Sequence, residues 1–236
     1  MRQGHWDACG TPPTQGGLKP TSIYGLTPVD GRLKVIAHVS EPIDVYQMKD
    51  TATLMGFVGM EMLEGLHSAV EQQIVSGTGI GENLNGLVST SGIQTVPYAT
   101  SQILTARAAI TAAETAGYTP YYFAVNPVDW AAIETSQLTA GQYVLNAEGN
   151  GNVPVEAATR RLWGVPVTVS MAVPAGEAYL ISDGCVQIAT DGAVAQEWSA
   201  GVADDFQRNA VRNRVESRFE LLVTRPAGVV KIDLTA

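Results

Sequence analysis

Six apolar residues at four-residue spacing, Leu54, Val58, Met62, Leu66, Val70 and Ile74, limit what this chain can become more than any other feature. Positions four apart return to the same side of an α-helix, and such a stripe must be covered by another element. Phe57 and Leu63 widen it, while Glu61, Glu64, His67, Ser68, Glu71 and Gln72 take the other side. The pattern predicts one long amphipathic helix from about Met48 to Ser76. Gly56, Gly59 and Gly65 weaken that helix by roughly 1 kcal/mol each relative to Ala. Glycines so placed predict close approach of another element, or a bend.

On either side of this helix the pattern changes. Residues 1 to 31 hold "CGTPPTQGGLKPT", with Gly and Pro too dense for helix or sheet, and read as an extended, weakly structured arm. Asp30-Gly31 is a hairpin turn signal. In "RLKVIAHVS", Leu33, Val35, Ala37 and Val39 alternate with Arg32, Lys34 and His38, with Ile36 the exception. That period of two predicts a strand whose apolar side carries the first set.

Further along, Ser101 to Ala116 reads as a helix capped by Thr100 or Ser101 and stopped by Gly117. "PYYFAV" reads as a short buried strand. Asn126-Pro127 opens a third helix, with Asn as cap and Pro at the first helical position. "QYVLNAEGNGN" reads as a strand end and a loop. "RRLWGVPVTVSMAVPAGEAYLISDG" reads as a strand beside a buried Trp-Gly step, a turn at Pro174-Ala175-Gly176, and a returning strand that stops at Asp183-Gly184. In "RNAVRNRVESRFELLV", Val211, Val215, Phe219 and Leu221 share one face, and Arg212, Arg214, Glu216, Arg218 and Glu220 share the other. A strand with five charges in succession on one face is expected to meet charged neighbours across a sheet or a subunit contact.

At 236 residues the chain can bury a core as one large domain or two lobes. Only 16% of it is charged and the formal charge is -9. That composition is globular, and the charge opposes a main task of gripping nucleic acid, which requires a basic surface. The two cysteines, Cys9 and Cys185, form no disulfide framework, so a reducing compartment is expected. No apolar run reaches the length of a membrane span, and "MRQGHWDACG" lacks the apolar core of a signal peptide. A soluble protein, not secreted by a standard route, is expected.

Chemistry-bearing patterns are weak. "SGTGIGENLNG" places Glu82 where a dinucleotide loop needs its third Gly, lacks the Lys-Ser or Lys-Thr of a phosphate loop, and follows a helix instead of a strand. It reads as a helix stop and a turn. Glu64, His67 and Glu71 share a helical side with the Glu-x-x-His spacing of di-iron bundles, yet neither His5 nor His38 has a Glu three residues before it. A solvated face is expected there, with no metal and no cofactor. The three histidines lack a nucleophile elbow. Trp6, Trp130, Trp163 and Trp198 are scattered and read as packing residues. No enzyme emerges.

Taken in order, "LKVIAHVSEP", the long helix, "EQQIVSGTGIGENLNGLVS", "YYFAVNPVDWAAIE", "GQYVLN", the Leu162-Trp163-Gly164-x-Pro166-Val167 step and the Arg-rich strand ending at Arg225-Pro226-Ala227 resemble the major capsid proteins of tailed bacteriophages with the Hong Kong 97-type fold. The resemblance runs from about Pro20 to the end. It implies an α+β fold: an amino-terminal arm and extension loop over 1–40, a peripheral domain with its spine helix over 41–98, an axial domain over 99–185, peripheral return strands over 186–225 and a carboxy-terminal strand over 226–236. It also implies a non-enzymatic subunit that assembles as pentamers and hexamers into an icosahedral shell around double-stranded DNA, bound without sequence specificity.

The implied setting is a virion capsid built in the bacterial host cytoplasm, with portal, scaffold or protease during assembly, a decoration protein as a further partner, and no membrane. The family's amino-terminal arm is usually longer, so Met1 is expected to follow a short or separate scaffold. Lys19 and Lys34 are available for the intersubunit crosslink some members make, but no partner Asn is assigned. Arg212, Arg214, Glu216, Arg218 and Glu220 are the candidate subunit-interface residues. The alternatives are an encapsulin-like compartment shell and, from a different class, a small α/β enzyme using the Glu64, His67 and Glu71 face.

Overall fold

The computed structural model describes residues 2–3, 26–27, 31–136, 160–202 and 204–235. Most of the arm, with His5, Trp6, Cys9 and Lys19, and the "QYVLNAEGNGN" segment lie outside them. A two-residue pairing joins β1 (Arg2–Gln3) to β2 (Leu26–Thr27). Among the described residues the remaining strands make two sheets, with two α-helices on the side of each.

The first sheet is built on β12 (Ala210–Val223), fourteen residues long. Along one side of it run β10 (Val186–Thr190) and β11 (Ala195–Ser199), paired Val186↔Val223 to Thr190↔Phe219 and Ala195↔Glu216 to Ser199↔Arg212. They act as one strand with a bulge, since Asp191 to Val194 face only Ser217 and Arg218. Along the other side run β3 (Lys34–Val39) and β4 (Ile43–Asp44), and Ser40 between them bonds Asn213 twice, through its nitrogen at 2.8 Å and its Oγ at 2.9 Å.

The expected single helix is two. α1 (Val45–Asp50) ends at Thr51, which is extended, and α2 (Leu54–Ser76) starts afresh at Leu54. Residues 48–53 carry none of the apolar stripe and two β-branched threonines, so nothing fastens a continuous turn there. α1 buries no residue. From Leu54 onward the stripe does its expected work: Met62 and Leu66 pack with Val215 of β12 and with Ile36, Val58 and Val194.

Two glycines in α2 mark close approach as expected. A Cβ on Gly59 would meet the Gln196 amide, and one on Gly65 would meet the His38 ring, each at 2.8 Å, whereas Gly56 has open space. The β3 alternation is right in period and inverted in face. Lys34, Ile36 and His38 turn inward, and Val35, Ala37 and Val39 are exposed. Polar partners explain the inversion: the Lys34 ammonium donates to the carbonyls of Gly81 and Asn83, and the His38 ring contacts the Met62 carbonyl at 2.6 Å. The Asp30-Gly31 turn signal falls at the border of the described residues, with Asp30 outside them, while β2 pairs with β1 and β3 with β12.

The second sheet has the order β5-β13-β9-β6-β8-β7: β5 (Gln94–Val96), β13 (Val229–Asp233), β9 (Glu177–Ser182), β6 (Pro120–Val125), β8 (Val165–Val169) and β7 (Arg161–Leu162). β8 and β9 therefore do not pair as turn and return; β6 lies between them, parallel to β8 and antiparallel to β9. Both faces of this sheet are covered. Ala178 and Leu180 point into a core with α3 (Gln102–Thr115) and α4 (Pro127–Glu134), while Tyr179 and Ile181 point into a second core with Val75 and Leu221. Because both faces are covered, Ala178 to Ser182 are all buried.

The helix caps follow the sequence. Ser101 accepts from Leu104 N, Asn126 accepts from Val128 N, and Gly117 after α3 takes the left-handed conformation at φ 82°. The second core contains Val75 from α2 and Leu221 from β12, so it joins the two sheets.

Candidate assembly surface

The alternation of β12 sorts its side chains as the sequence predicts. Asn213, Val215, Ser217 and Leu221 are buried, and Arg214 and Arg218 on the other face are 47% and 55% exposed. The expected charged neighbours are present, and they come from this same chain. Arg212 donates through Nε to Asp205 at 2.7 Å, Arg214 reaches Glu197 at 2.8 Å and Glu216 at 3.2 Å, and Arg218 Nε reaches Asp191 at 2.6 Å. The Glu220 carboxylate fills the space a Cβ on Gly31 would need.

These partners follow from register. Glu197 of β11 stands directly opposite Arg214, and the bulge swings Asp191 toward Arg218. Asp205 is the buried member of its pair at 2% exposure, so the Arg212–Asp205 bridge is fixed in a way the outer pairs are not. Its hydrogen bond to Asp205, ahead of the charges around it, raises the pKa of Arg212 further.

The same register supplies what the sequence did not show. Val35 lies opposite Arg218, Ala37 opposite Glu216 and Val39 opposite Arg214, so an exposed apolar row flanks the charged row on one sheet face. The inward Lys34 and His38 are the signal, visible only once the glycine-bearing helix is known to lie on that side. The outer face thus offers ion pairs whose arginines keep unused donors, beside apolar surface with no covering element among the described residues. That mixture of guanidinium and apolar surface is what protein interfaces use.

Elsewhere, Glu64, His67 and Glu71 are exposed on α2, as expected, and Glu71 accepts from Ser170 Oγ at 2.7 Å. Among the described residues no three His, Cys, Asp or Glu side chains gather as metal ligands would. No helix among them is long and apolar enough to cross a membrane. "GTGIGENLNG" is a turn closed on itself, with Thr78 bridged to Asn85 and the Ser89 hydroxyl donating to the Gly77 carbonyl at 2.6 Å. Trp130 is buried packing; Trp163, expected to be buried, is 56% exposed.

Residues 27–234, from the edge of the arm through both sheets, match the phage capsid family. The chain belongs to that family. The major capsid protein of Enterobacteria phage HK97 is 28% identical over 223 residues, which cover 91% of this chain and 55% of that protein. The chain therefore spans about half the length of the curated relative it matches. Among solved structures, one from Gordonia phage Cozz superposes with a TM-score of 0.70 at 18% identity, covering 99% of this chain and 80% of that one. The capsid of an empty GTA particle computed with C5 symmetry gives 0.69 at 15% identity, covering 100% and 82%. The fold of this phage capsid family member is the α+β Hong Kong 97-type fold.

Proposed function

We propose that this chain is a major capsid protein that assembles with copies of itself, as pentamers and hexamers, into an icosahedral shell around double-stranded DNA. The observation that carries the reading is the family match along residues 27–234, which takes in both sheets. In these terms 1–40 is the arm and extension loop, whose β3 runs along β12; 41–98 and 186–225 are the peripheral domain, 99–185 is the axial domain and 226–236 is the carboxy-terminal strand. The chain contributes wall and no catalysis. The formal charge of -9 suits a container that does not hold the DNA it encloses. Portal, scaffold or protease, and a decoration protein are its partners during assembly in the host cytoplasm and in the virion.

The charged row of β12 is where contact between copies is set. Exposed ion pairs give a subunit only about 0 to 1 kcal/mol each, whereas the same charges at a repeated contact fix register and partner choice. The test is Arg214→Glu with Arg218→Glu, followed by circular dichroism, sedimentation velocity and negative-stain electron microscopy. The expected result is a folded subunit that fails to form shells or forms aberrant ones, with Arg214→Gln and Arg218→Gln giving a milder defect. Normal shells from the reversed variant refute the interface role, and a wild type that stays monomeric across concentration and salt refutes the capsid reading.

A further inference from the structure

Two features at the borders of the second sheet have no role in its own core. At one edge, β7 and β8 are joined by Trp163-Gly164, with φ of 51° and 82°. Both values are left-handed, a region open to Gly and disfavoured for a bulky side chain. The indole is nevertheless mostly in solvent, and its Nε1–H reaches the Ile103 carbonyl only at 3.4 Å. Arg160 and Arg161, on the same hairpin, are exposed, and neither guanidinium has a carboxylate partner among the described residues. Tryptophan and arginine are the side chains that anchor protein interfaces.

Toward the opposite edge lies a cavity of about 450 Å³, open to solvent. Pro97 and Tyr98 after β5, Glu177 at the start of β9 and Asp233 at the end of β13 form its wall. Glu177 shares its charge with Lys231 at 2.6 Å and accepts from the Tyr179 hydroxyl at 3.2 Å. Asp233 has no cation partner among the described residues. One border of the sheet therefore presents an aromatic knob with free positive charge, and the other a hollow with an aromatic wall and a free negative charge.

We propose that the β7–β8 hairpin of one copy docks into this cavity of a second copy, with Arg161 facing Asp233 and Trp163 covering Pro97 and Tyr98. The two surfaces differ and sit toward opposite edges of one sheet, so the contact is head-to-tail, the kind that closes a ring when repeated. The strain at Trp163 has its return in the ring and not in the subunit. This inference rests on the self-assembly reading above and adds to it the pair of surfaces that meet.

The experiment compares wild type with Arg161→Glu, Asp233→Arg, the two combined, and Trp163→Gly, by sedimentation velocity, electron microscopy and thermal unfolding of the dissociated subunit. Each charge reversal is expected to lower the assembled fraction at least tenfold, and the combination to recover most of it. Trp163→Gly is expected to leave the subunit's Tm unchanged or higher, because Gly suits the turn, while reducing assembly. Reversed variants that assemble like wild type, a combination no better than the single changes, or a Trp163→Gly subunit that melts lower each overturn the inference. A wild type that stays monomeric overturns the assembly reading and this one with it.

Discussion

Three glycines on α2 share a helix and differ in what stands over them, so Gly→Ala at each isolates the contribution of packing. Ala gains up to ~1 kcal/mol over Gly in a helix interior. At Gly56, the third residue of α2, nothing beyond its own stretch of helix lies within 4 Å of the new Cβ, so Gly56→Ala is expected to keep part of that gain. At Gly65 the new Cβ would stand 2.8 Å from His38 Cε1. The ring cannot withdraw freely, because β3 is paired to β12 on either side of it and the ring contacts the Met62 carbonyl at 2.6 Å. Displacing it costs about 1 kcal/mol of hydrogen bond, and overpacking adds about 1–3 kcal/mol. The net for Gly65→Ala is a loss of about 1–3 kcal/mol. Gly59→Ala meets only the amide end of Gln196 at 2.8 Å, a flexible group, and is expected near neutral. For a chain of this size 1 kcal/mol moves Tm by about 2–4 °C, so thermal unfolding of the dissociated subunit resolves the order Gly56→Ala above wild type, Gly59→Ala near it and Gly65→Ala below. Adding His38→Ala should make the Gly65→Ala change less damaging than it is alone. A Gly65→Ala subunit as stable as Gly56→Ala would refute the reasoning.

Asn126→Ala removes the α4 cap and leaves the Val173 carbonyl, which accepts from Asn126 Nδ2 at 2.6 Å, without its donor; a loss of about 2–4 kcal/mol is expected in denaturant unfolding, with Asn126→Asp recovering the cap share. Burial first, then Glu177 and Asp233, raises the Tyr179 pKa, while burial also raises Tyr122 and Cys185. The unfolded chain releases these protons from the ordinary 9.0 of Cys and 10.0 of Tyr, and the folded chain holds them longer, so stability is full below that range and should fall as pH rises through it; Tyr179→Phe should flatten that alkaline limb in a Tm series. Hydrogen exchange should be slowest in β6, β9 and β13, whose sheet is covered on both faces, and fastest in α1, which buries nothing.

What the sequence showed of this fold was whatever a local period or cap could carry. The stripe from Leu54 to Ile74, the Ser101 and Asn126 caps and the β12 alternation all depend on residues within a turn or two of one another, and all stand. Apart from the break between α1 and α2 and the turn at Trp163, which are local, what failed depended on a partner distant in sequence. The β3 face inverted because Lys34 and His38 find acceptors in the Gly81, Asn83 and Met62 carbonyls, and no periodicity announces a distant carbonyl. β8 and β9 read as a hairpin, yet β6, from forty residues earlier in the chain, separates them. At the candidate surface the β12 charges were legible, but Asp191, Glu197 and Asp205 as their partners required the register and the bulge. Trp163 read as buried because bulky indoles usually are; its left-handed φ is a property of the two-residue turn and is invisible in composition.

The two sheets are held by unequal means. The second sheet is sealed between two apolar cores with both faces covered. Between α2 and the β12 sheet lie Met62, Leu66, Val215 and a few partly buried neighbours, with Val75 and Leu221 where the sheet joins the second core. Within that seam the Asn213 Nδ2 and Ser217 Oγ atoms are buried without a hydrogen-bond partner among the described residues, at a cost of about 1–3 kcal/mol each. Those two unmet polar groups offset a gain comparable with burying one or two of the seam's apolar side chains. The outer face of the same sheet carries the exposed charge row and Val35 and Val39. Under the proposed assembly, contacts made there by a neighbouring copy would bear on the sheet with the smaller apolar cluster. Under the same reading, the doubly covered second sheet would hold the hairpin and the cavity in fixed relation when copies meet.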